Sequence, residues 1–468
     1  MTQKITLSTC CVLTIALSAK GESIKKDIKP NILIILIDDA GYNDFGFMGS
    51  KDLQTPNIDA LSKHGTIFTD AHVSATVSGP SRAGILTGRY QQRFGYECNP
   101  TDTLWLSQNE KTIGDIFSEN GYRTSAIGKW HQGKADVCHP NNRGFDHFFG
   151  FISGSRSYFY RPDRDDKPGR ETNLQLNGTI KRFNGYLTDV LADEAANFIN
   201  NTNDPFMMYL AFNAVHTPME ATESDLAIFK DHPRKKLAAM TFALDRAVGN
   251  VVDELKKTGK YNNTLIFFLS DNGGATTNQS NNYPLKGFKG NKFEGGHRVP
   301  MLMVWGDKLS SIKRYDGLSS SLDILATAME AAGIKKSSLS NKIDGTDLIA
   351  HLNGKIKSAP HDELFWRKDK MAAARVGAMK MIRVEGLGYK LYNLKDNLHE
   401  DNSIESQEQL NAIKKRMAKW ESGLIAPLWT EGFEWDTTTM EIHRDLMLNR
   451  PVRYYSPSKE LLKGKKNR

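Results

Sequence analysis

The chain has 468 residues, of which 39% are hydrophobic, 25% charged and 9% aromatic, and a formal net charge of +8. That length buries a large core, and the composition excludes collagen-like, low-complexity and repeat architectures. The basic excess suits a polyanionic partner. No zinc-finger spacing, RNA-recognition signature or basic-region heptad accompanies it, so nucleic acid is disfavoured as that partner.

In chain order, residues 1–19 read as an export signal. Lys4 supplies the positive start, Ile5 to Leu17 is mostly apolar, and Ala16-Leu17-Ser18-Ala19 offers small residues for cleavage. The stretch is too short for a comfortable membrane span and no later one is long enough, so a periplasmic or secreted protein is expected. Cys10 and Cys11 fall within this segment, leaving Cys98 and Cys138, which could pair in an oxidising compartment.

Asn31–Ile37 is a continuous apolar run, as in a strand buried on both faces of a parallel sheet, and it ends in Asp38-Asp39-Ala40-Gly41. Thr264–Ser270 repeats the pattern and ends in Asp271-Asn272-Gly273-Gly274. Each acidic end alone reads as a turn. If the strands are neighbours, four oxygen donors meet beyond the sheet's carboxyl edge, where a hard cation such as Ca²⁺ or Mg²⁺ binds.

Ser78-Gly79-Pro80-Ser81-Arg82 leads into an Ala/Ile/Leu run stopped by Gly88. Pro80 suits a first helical position, which leaves Ser78 just ahead of the helix, where free N–H groups favour an anion. Arg82 could add a forked donor; an ordinary capped helix is the alternative.

A helix is expected over Lys111–Asn120 and a strand over Thr124–Gly128, followed by Lys129-Trp130-His131, whose Lys and His point the same way if extended. Phe206–Phe212 is a third apolar strand, and His216 follows it beside Pro218. Leu237–Leu255 reads as an amphipathic helix with Asp245 and Arg246 facing solvent or making structural pairs. The basic, glycine-rich segment Pro284–Pro300 could wrap an anion with backbone N–H groups. A strand over Met301–Gly306 and a helix over Ser319–Gly333 follow. Beyond Lys355, Leu364–Arg367, Met371–Val384 and Tyr389–Leu394 look like short antiparallel strands, with a helix from Glu405 to Trp420. The final segment carries no usable motif.

The run from Ser78 to Arg89 resembles the signature of the type I sulfatases, (C/S)-x-P-S-R followed by T-G-R, within the alkaline phosphatase superfamily. Asn213 to Pro218, His139 to Asp146 and the K-x-x-x-x-E-G-G-x-R stretch from Lys289 to Arg298 are similar to further family elements. The resemblance implies an α/β fold: a large mixed, mostly parallel sheet flanked by helices over residues 26–355, then a smaller C-terminal α+β subdomain with a tail over residues 356–468. It implies that Ser78 is converted to formylglycine, whose hydrate attacks sulfur. Calcium would be held by Asp38, Asp39, Asp271, Asn272 and residue 78. Arg82, Lys129 and Lys289 would neutralise the sulfate, His216 would protonate the leaving oxygen, and His131 would assist deprotonation of the hydrate. A serine rather than a cysteine at 78 implies a radical-type maturase acting before export. The substrate expected is a sulfated polysaccharide, first of algal ulvan or carrageenan type and second a glycosaminoglycan. The alternatives are a phosphomonoesterase or phosphonate hydrolase of the same superfamily and a non-catalytic glycan-binding relative.

Overall fold

The computed structural model describes residues 29–463 apart from 168, 310 and 311. The expected signal peptide, with Cys10 and Cys11, lies outside the described residues. Among the described residues no helix is long and apolar enough to cross a membrane.

A ten-stranded sheet forms the centre. Five neighbouring strands run parallel, in the order Thr264–Ser270, Asn31–Ile37, Phe206–Ala211, Arg123–Lys129, His147–Phe151. Met301–Val304 adds antiparallel to Thr264–Ser270, and Gly65–Phe68 and Arg314–Tyr315 complete that side. The continuous apolar runs follow from burial on both faces. Leu33, Ile35 and Ile37 meet the helices Leu187–Asn201 and Lys235–Lys257, while Ile32, Ile34 and Leu36 meet Ile85, Leu86 and the helices Ile113–Glu119 and Asp323–Ala331.

Local readings are corrected in places. Helix formation begins only at Asp323, because Ser319–Ser320 pairs parallel with Ala71–His72. Asp245 is buried and does not face solvent: its carboxylate accepts from the N–H groups of Asn57 (3.1 Å) and Ile58 (2.8 Å) at the start of helix Pro56–Ser62. Arg246 makes the structural pairs, to Asp189 at 3.0 Å and Asp225 at 2.9 Å. Cys98 and Cys138 are both buried free thiols.

Beyond Lys355, Glu363–Lys368, Met371–Val376, Met379–Val384 and Gly388–Asn393 form a four-stranded antiparallel sheet. The expected Met371–Val384 segment is a hairpin, turned at Gly377, which has φ +54°. Helix Gln407–Glu421 covers one face through Ile413, Met417 and Trp420. The segment without a motif supplies the second cover: helix Phe433–Met447 packs Ile442, Leu446 and Met447 on the opposite face.

Buried charges pin this sheet to the large one. Lys380 places its ammonium 2.9 Å from both Glu294 and Glu400. Arg375 reaches Asp70 at 3.1 Å and Glu294 at 3.3 Å, and Trp366 donates to the Val73 carbonyl at 2.7 Å. His72, Glu294 and His297 lie close enough together to hold a metal ion, but the Lys380 ammonium sits 3.1 Å from His297 Nε2 and occupies that place. Burial, with Lys380 nearby, keeps His297 well below the usual imidazole range.

Burial, reinforced by Glu294, pushes the Glu400 carboxyl up to about 7 against the pull of Lys380. A carboxyl raised on folding contributes stability that is complete below its ordinary value of 4.5 and is lost as pH rises towards 7. The Glu400→Gln variant should therefore flatten the decline of the urea midpoint across that window; an unchanged slope would exclude Glu400 as its source.

Candidate active site

The parallel register pairs Ile37 with Ser270, so the two acidic ends leave the sheet side by side. Asp38, Asp39, Asp271 and Asn272 are all essentially inaccessible to solvent. Asp39 takes a left-handed backbone, φ +62°, and its carbonyl is held by Asn278 Nδ2 at 3.1 Å and Ser280 Oγ at 2.9 Å. Its carboxylate turns back to accept from Asn272 Nδ2 at 2.8 Å. The glycines after these acids reflect close backbone approach: a Cβ on Gly273 would overlap the Gly295 carbonyl, and one on Gly274 would strike Gly41.

Helix Ser78–Thr87 points its N-terminus at this cluster. The helix begins at Ser78, two residues earlier than expected, with Val77 as the cap. Pro80 still falls among the first-turn positions whose N–H groups have no intrahelical partner, so it costs no hydrogen bond. Ser78 is thereby spared a capping role. Its hydroxyl lies 3.3 Å from Asp38 Oδ1 and 3.2 Å from Asn272 Oδ1, with Lys129 Nζ at 3.4 Å.

Three cations answer the three carboxylates. Arg82 Nε donates to Asp271 at 2.8 Å, and its Nη1 donates to the Lys129 carbonyl at 3.0 Å. Lys129 donates to Asp38 at 2.6 Å, and Lys289 lies 2.7 Å from Asp39. Neighbouring lysines settle the register of that loop: Lys286 bonds the Glu400 carbonyl and Lys292 bonds Thr76, so Lys289 alone of the three reaches Asp39. Burial would raise Asp38 and Asp39, yet Lys129 and Lys289 respectively hold each below its ordinary value. Arg82 is raised despite burial because Asp271 and Asp38 face it. Burial lowers Lys129.

The two histidines arrive differently. His216 Nδ1 meets the Thr217 carbonyl at 2.6 Å, which places its hydrogen there and turns Nε2 towards Asp39, 3.6 Å away. Tyr158 clamps this turn, donating to the carbonyls of Asn213 (2.7 Å) and His216 (2.8 Å). Lys129 ends its strand, and His131 has φ +56°, so the expected alternation breaks. His131 nonetheless stays at the cluster. Burial, then Lys129 and Arg82, lower it well below the usual imidazole range, and its Nδ1 is buried without a partner. Lys289 and His216 keep partly accessible side chains, at 23% and 18%, and so mark the mouth. The His139–Asp146 loop is spent on its own order: Arg143 holds the Leu106 and Glu110 carbonyls at 3.3 and 2.6 Å.

Sequence reasoning missed four supports: Tyr158, Asn278, Gln132, which donates to the Gly79 carbonyl at 2.9 Å, and Lys292 on Thr76 at 3.1 Å. None has a local pattern; each acts across a long loop. The gathered donors of Asp38, Asp39, Asp271, Asn272 and Ser78 are all oxygen, which fits a hard divalent cation. Among the described residues, His216 is the one histidine that joins Asp38 and Asp39 in a possible ligand group.

Residues 30–334 match the sulfatase family. The chain belongs to the sulfatase family. It is a sulfuric ester hydrolase. The sulfatase is 32% identical over 395 residues to the uncharacterized sulfatase YdeN of Escherichia coli K12, covering 72% of this chain and 68% of that one. It is 30% identical to the N-acetylgalactosamine-6-sulfatase of Sus scrofa, covering 79% and 74%. Among solved structures, Ps i-CgsB in complex with k-i-k-neocarrahexaose superimposes with a TM-score of 0.81 at 37% identity, over 91% of this chain and 100% of that one.

Removing one partner of a buried ion pair leaves an uncompensated charge and costs about 3–5 kcal/mol. Arg82→Met should therefore lower the urea midpoint sharply by stranding Asp271. Adding Asp271→Asn to it should recover part of the loss; a double variant less stable than Arg82→Met would contradict the pairing.

Proposed function

We propose that this sulfatase hydrolyses sulfate esters of a carrageenan-type polysaccharide or its oligosaccharides, using Ser78 converted to formylglycine and a bound calcium ion. The single observation that carries the reading is the place of Ser78: a helix N-terminus aimed at an all-oxygen cluster, ringed by Arg82, Lys129 and Lys289. The likeness to Ps i-CgsB in complex with a neocarrahexaose favours carrageenan over ulvan. Similarity to the N-acetylgalactosamine-6-sulfatase keeps glycosaminoglycans as the second reading.

A sulfate ester monoanion repels nucleophiles through its own oxygens, so its cleavage needs charge neutralisation, a strong nucleophile and a proton for the departing alcohol. The protein's own charges cancel: three carboxylates against Arg82, Lys129 and Lys289. A calcium ion held by Asp38, Asp39, Asp271 and Asn272 would make the site net positive and polarise a sulfate oxygen. A formylglycine at 78 supplies two hydroxyls, as the hydrated aldehyde, where serine has one. Lys129 and Lys289 lie where they can donate to sulfate oxygens as preorganised cations. With Nδ1–H held by the Thr217 carbonyl, a second proton on Nε2 makes His216 the acid that donates from Nε2 to the leaving oxygen. His131, kept neutral by its surroundings, is the base that accepts a proton from residue 78.

Phosphomonoesterases of the same superfamily usually bind two zinc-like ions through several His and Asp ligands. Here the ammonium groups of Lys129 and Lys289 lie against Asp38 and Asp39, where a second ion would need ligands. That arrangement favours a singly charged sulfate ester.

Matured enzyme should turn over 4-nitrophenyl sulfate far faster than 4-nitrophenyl phosphate; the reverse preference would sink the sulfatase assignment. General acid catalysis contributes about 10²–10⁴-fold. His216→Ala should therefore lose at least about 10²-fold on a sugar sulfate and much less on the activated aryl ester. Equal losses on both would remove His216 from the acid role.

A further inference from the structure

The backbone just after residue 78 cannot hold its own place. Glycine is the most permissive residue, and Gly79 also precedes Pro80, which biases it away from the helical region. Its N–H belongs to the first turn and has no intrahelical acceptor, and Val77 offers no side-chain cap. Gly79 is nevertheless helical. Two side-chain amides from distant loops grip it. Asn99 Oδ1 accepts from the Gly79 N–H at 2.9 Å, and Gln132 Nε2 donates to the Gly79 carbonyl at 2.9 Å. The first of these bonds holds the peptide unit that joins residue 78 to residue 79. The glycine lets the second loop come so near: a Cβ at 79 would lie 2.8 Å from Pro100 Cδ and 3.0 Å from Asn99 Oδ1.

Asn99 is itself exposed, so it owes its place to the loop that carries it. That loop is fastened to the C-terminal part of the chain. Leu428 donates its N–H to the Gly95 carbonyl at 2.9 Å, and Trp429 Nε1 donates to the Asn99 carbonyl at 2.8 Å. The Trp429 ring also stands edge-on to Tyr96, with centroids 4.8 Å apart. Between them, the buried Glu97 carboxylate takes Arg367 at 2.6 Å and the Asp369 N–H at 2.9 Å. A chain of contacts therefore runs from the small sheet and residues 428–429, through Asn99, to the peptide beside Ser78.

We propose that Asn99 is a positioning residue for sulfate-ester cleavage. By gripping the 78–79 peptide it fixes the direction in which the side chain of residue 78 leaves the helix, and Trp429 holds Asn99 in register for that task. The inference rests on the reading of residue 78 as the nucleophile. A reacting group misplaced by about 1 Å can lose about 10²-fold in rate. Neutralising the bound sulfate falls to Arg82, Lys129 and Lys289, so loosening the grip affects the aim of the attack and not ground-state binding. The loss then appears in kcat and not in KM.

The test follows 4-nitrophenyl sulfate turnover by the matured full chain, each rate divided by the fraction of residue 78 peptide lighter by two hydrogen atoms. Asn99→Ala should lower kcat by about 10- to 10²-fold and leave KM unchanged. Because Asn99 is exposed, the urea midpoint should stay near that of the wild type. Asn99→Asp keeps an acceptor for the Gly79 N–H and should recover most of the lost kcat. Trp429→Phe keeps an aromatic ring but removes the indole donor, and should lower kcat by a smaller factor. Wild-type kcat in Asn99→Ala, or a loss confined to KM, would overturn the proposal, as would an Asn99→Asp enzyme no faster than Asn99→Ala. Failure of the underlying reading looks different: wild-type turnover would not follow the oxidised fraction of residue 78, and both would then fall.

Discussion

Everything in this fold serves one electrostatic constraint: three carboxylates buried together at the end of two adjacent strands. Like charges at such distances repel strongly once water is excluded, and each would take up a proton unless answered. Arg82 comes from the helix after Ser78, Lys129 from the end of a parallel strand and Lys289 from the glycine-rich loop. Each cation reaches a carboxylate within 2.9 Å, and each therefore ties its segment to Asp38, Asp39 or Asp271. The arrangement that keeps the acids ionised is the same one that assembles the site.

The small sheet extends this logic. Glu294 lies five residues beyond Lys289 and is fully buried between Lys380 and Arg375, both on the small sheet. Glu400, on the loop after that sheet, accepts from the Glu294 backbone N–H at 2.7 Å. The loop carrying Lys289 is thus anchored at one end by Asp39 and at the other by the C-terminal part of the chain. Gly290 donates to the Thr76 carbonyl at 2.8 Å and Lys292 to its hydroxyl, which fastens the same loop two residues from Ser78. Burial, then the nearby Lys368, lowers Lys292 to about 7.

Much of this was legible because burial on both faces writes itself into composition. Asn31–Ile37 and Thr264–Ser270 read as strands residue for residue, and their acidic ends marked the cluster. Ser78, Arg82, Lys129, His216 and Lys289 lie against those acids in the folded chain. Reading failed where tertiary contacts overrule local pattern. Asp245 sits on a solvent-like register but caps another helix; His131 leaves the extended path through a left-handed residue; the Phe433–Met447 helix has too mixed a face to stand out from sequence. Tyr158 and Asn278 were invisible because their work is done on backbone carbonyls far away in the chain.

The account stands on Ser78 being the side chain that, once oxidised, does the chemistry. Mass analysis of the peptide containing residue 78, across preparations matured to different extents, tests this most directly. Turnover of 4-nitrophenyl sulfate should rise in proportion to the fraction of that peptide lighter by two hydrogen atoms. A preparation holding only unmodified serine and turning over the ester at the full rate would contradict it.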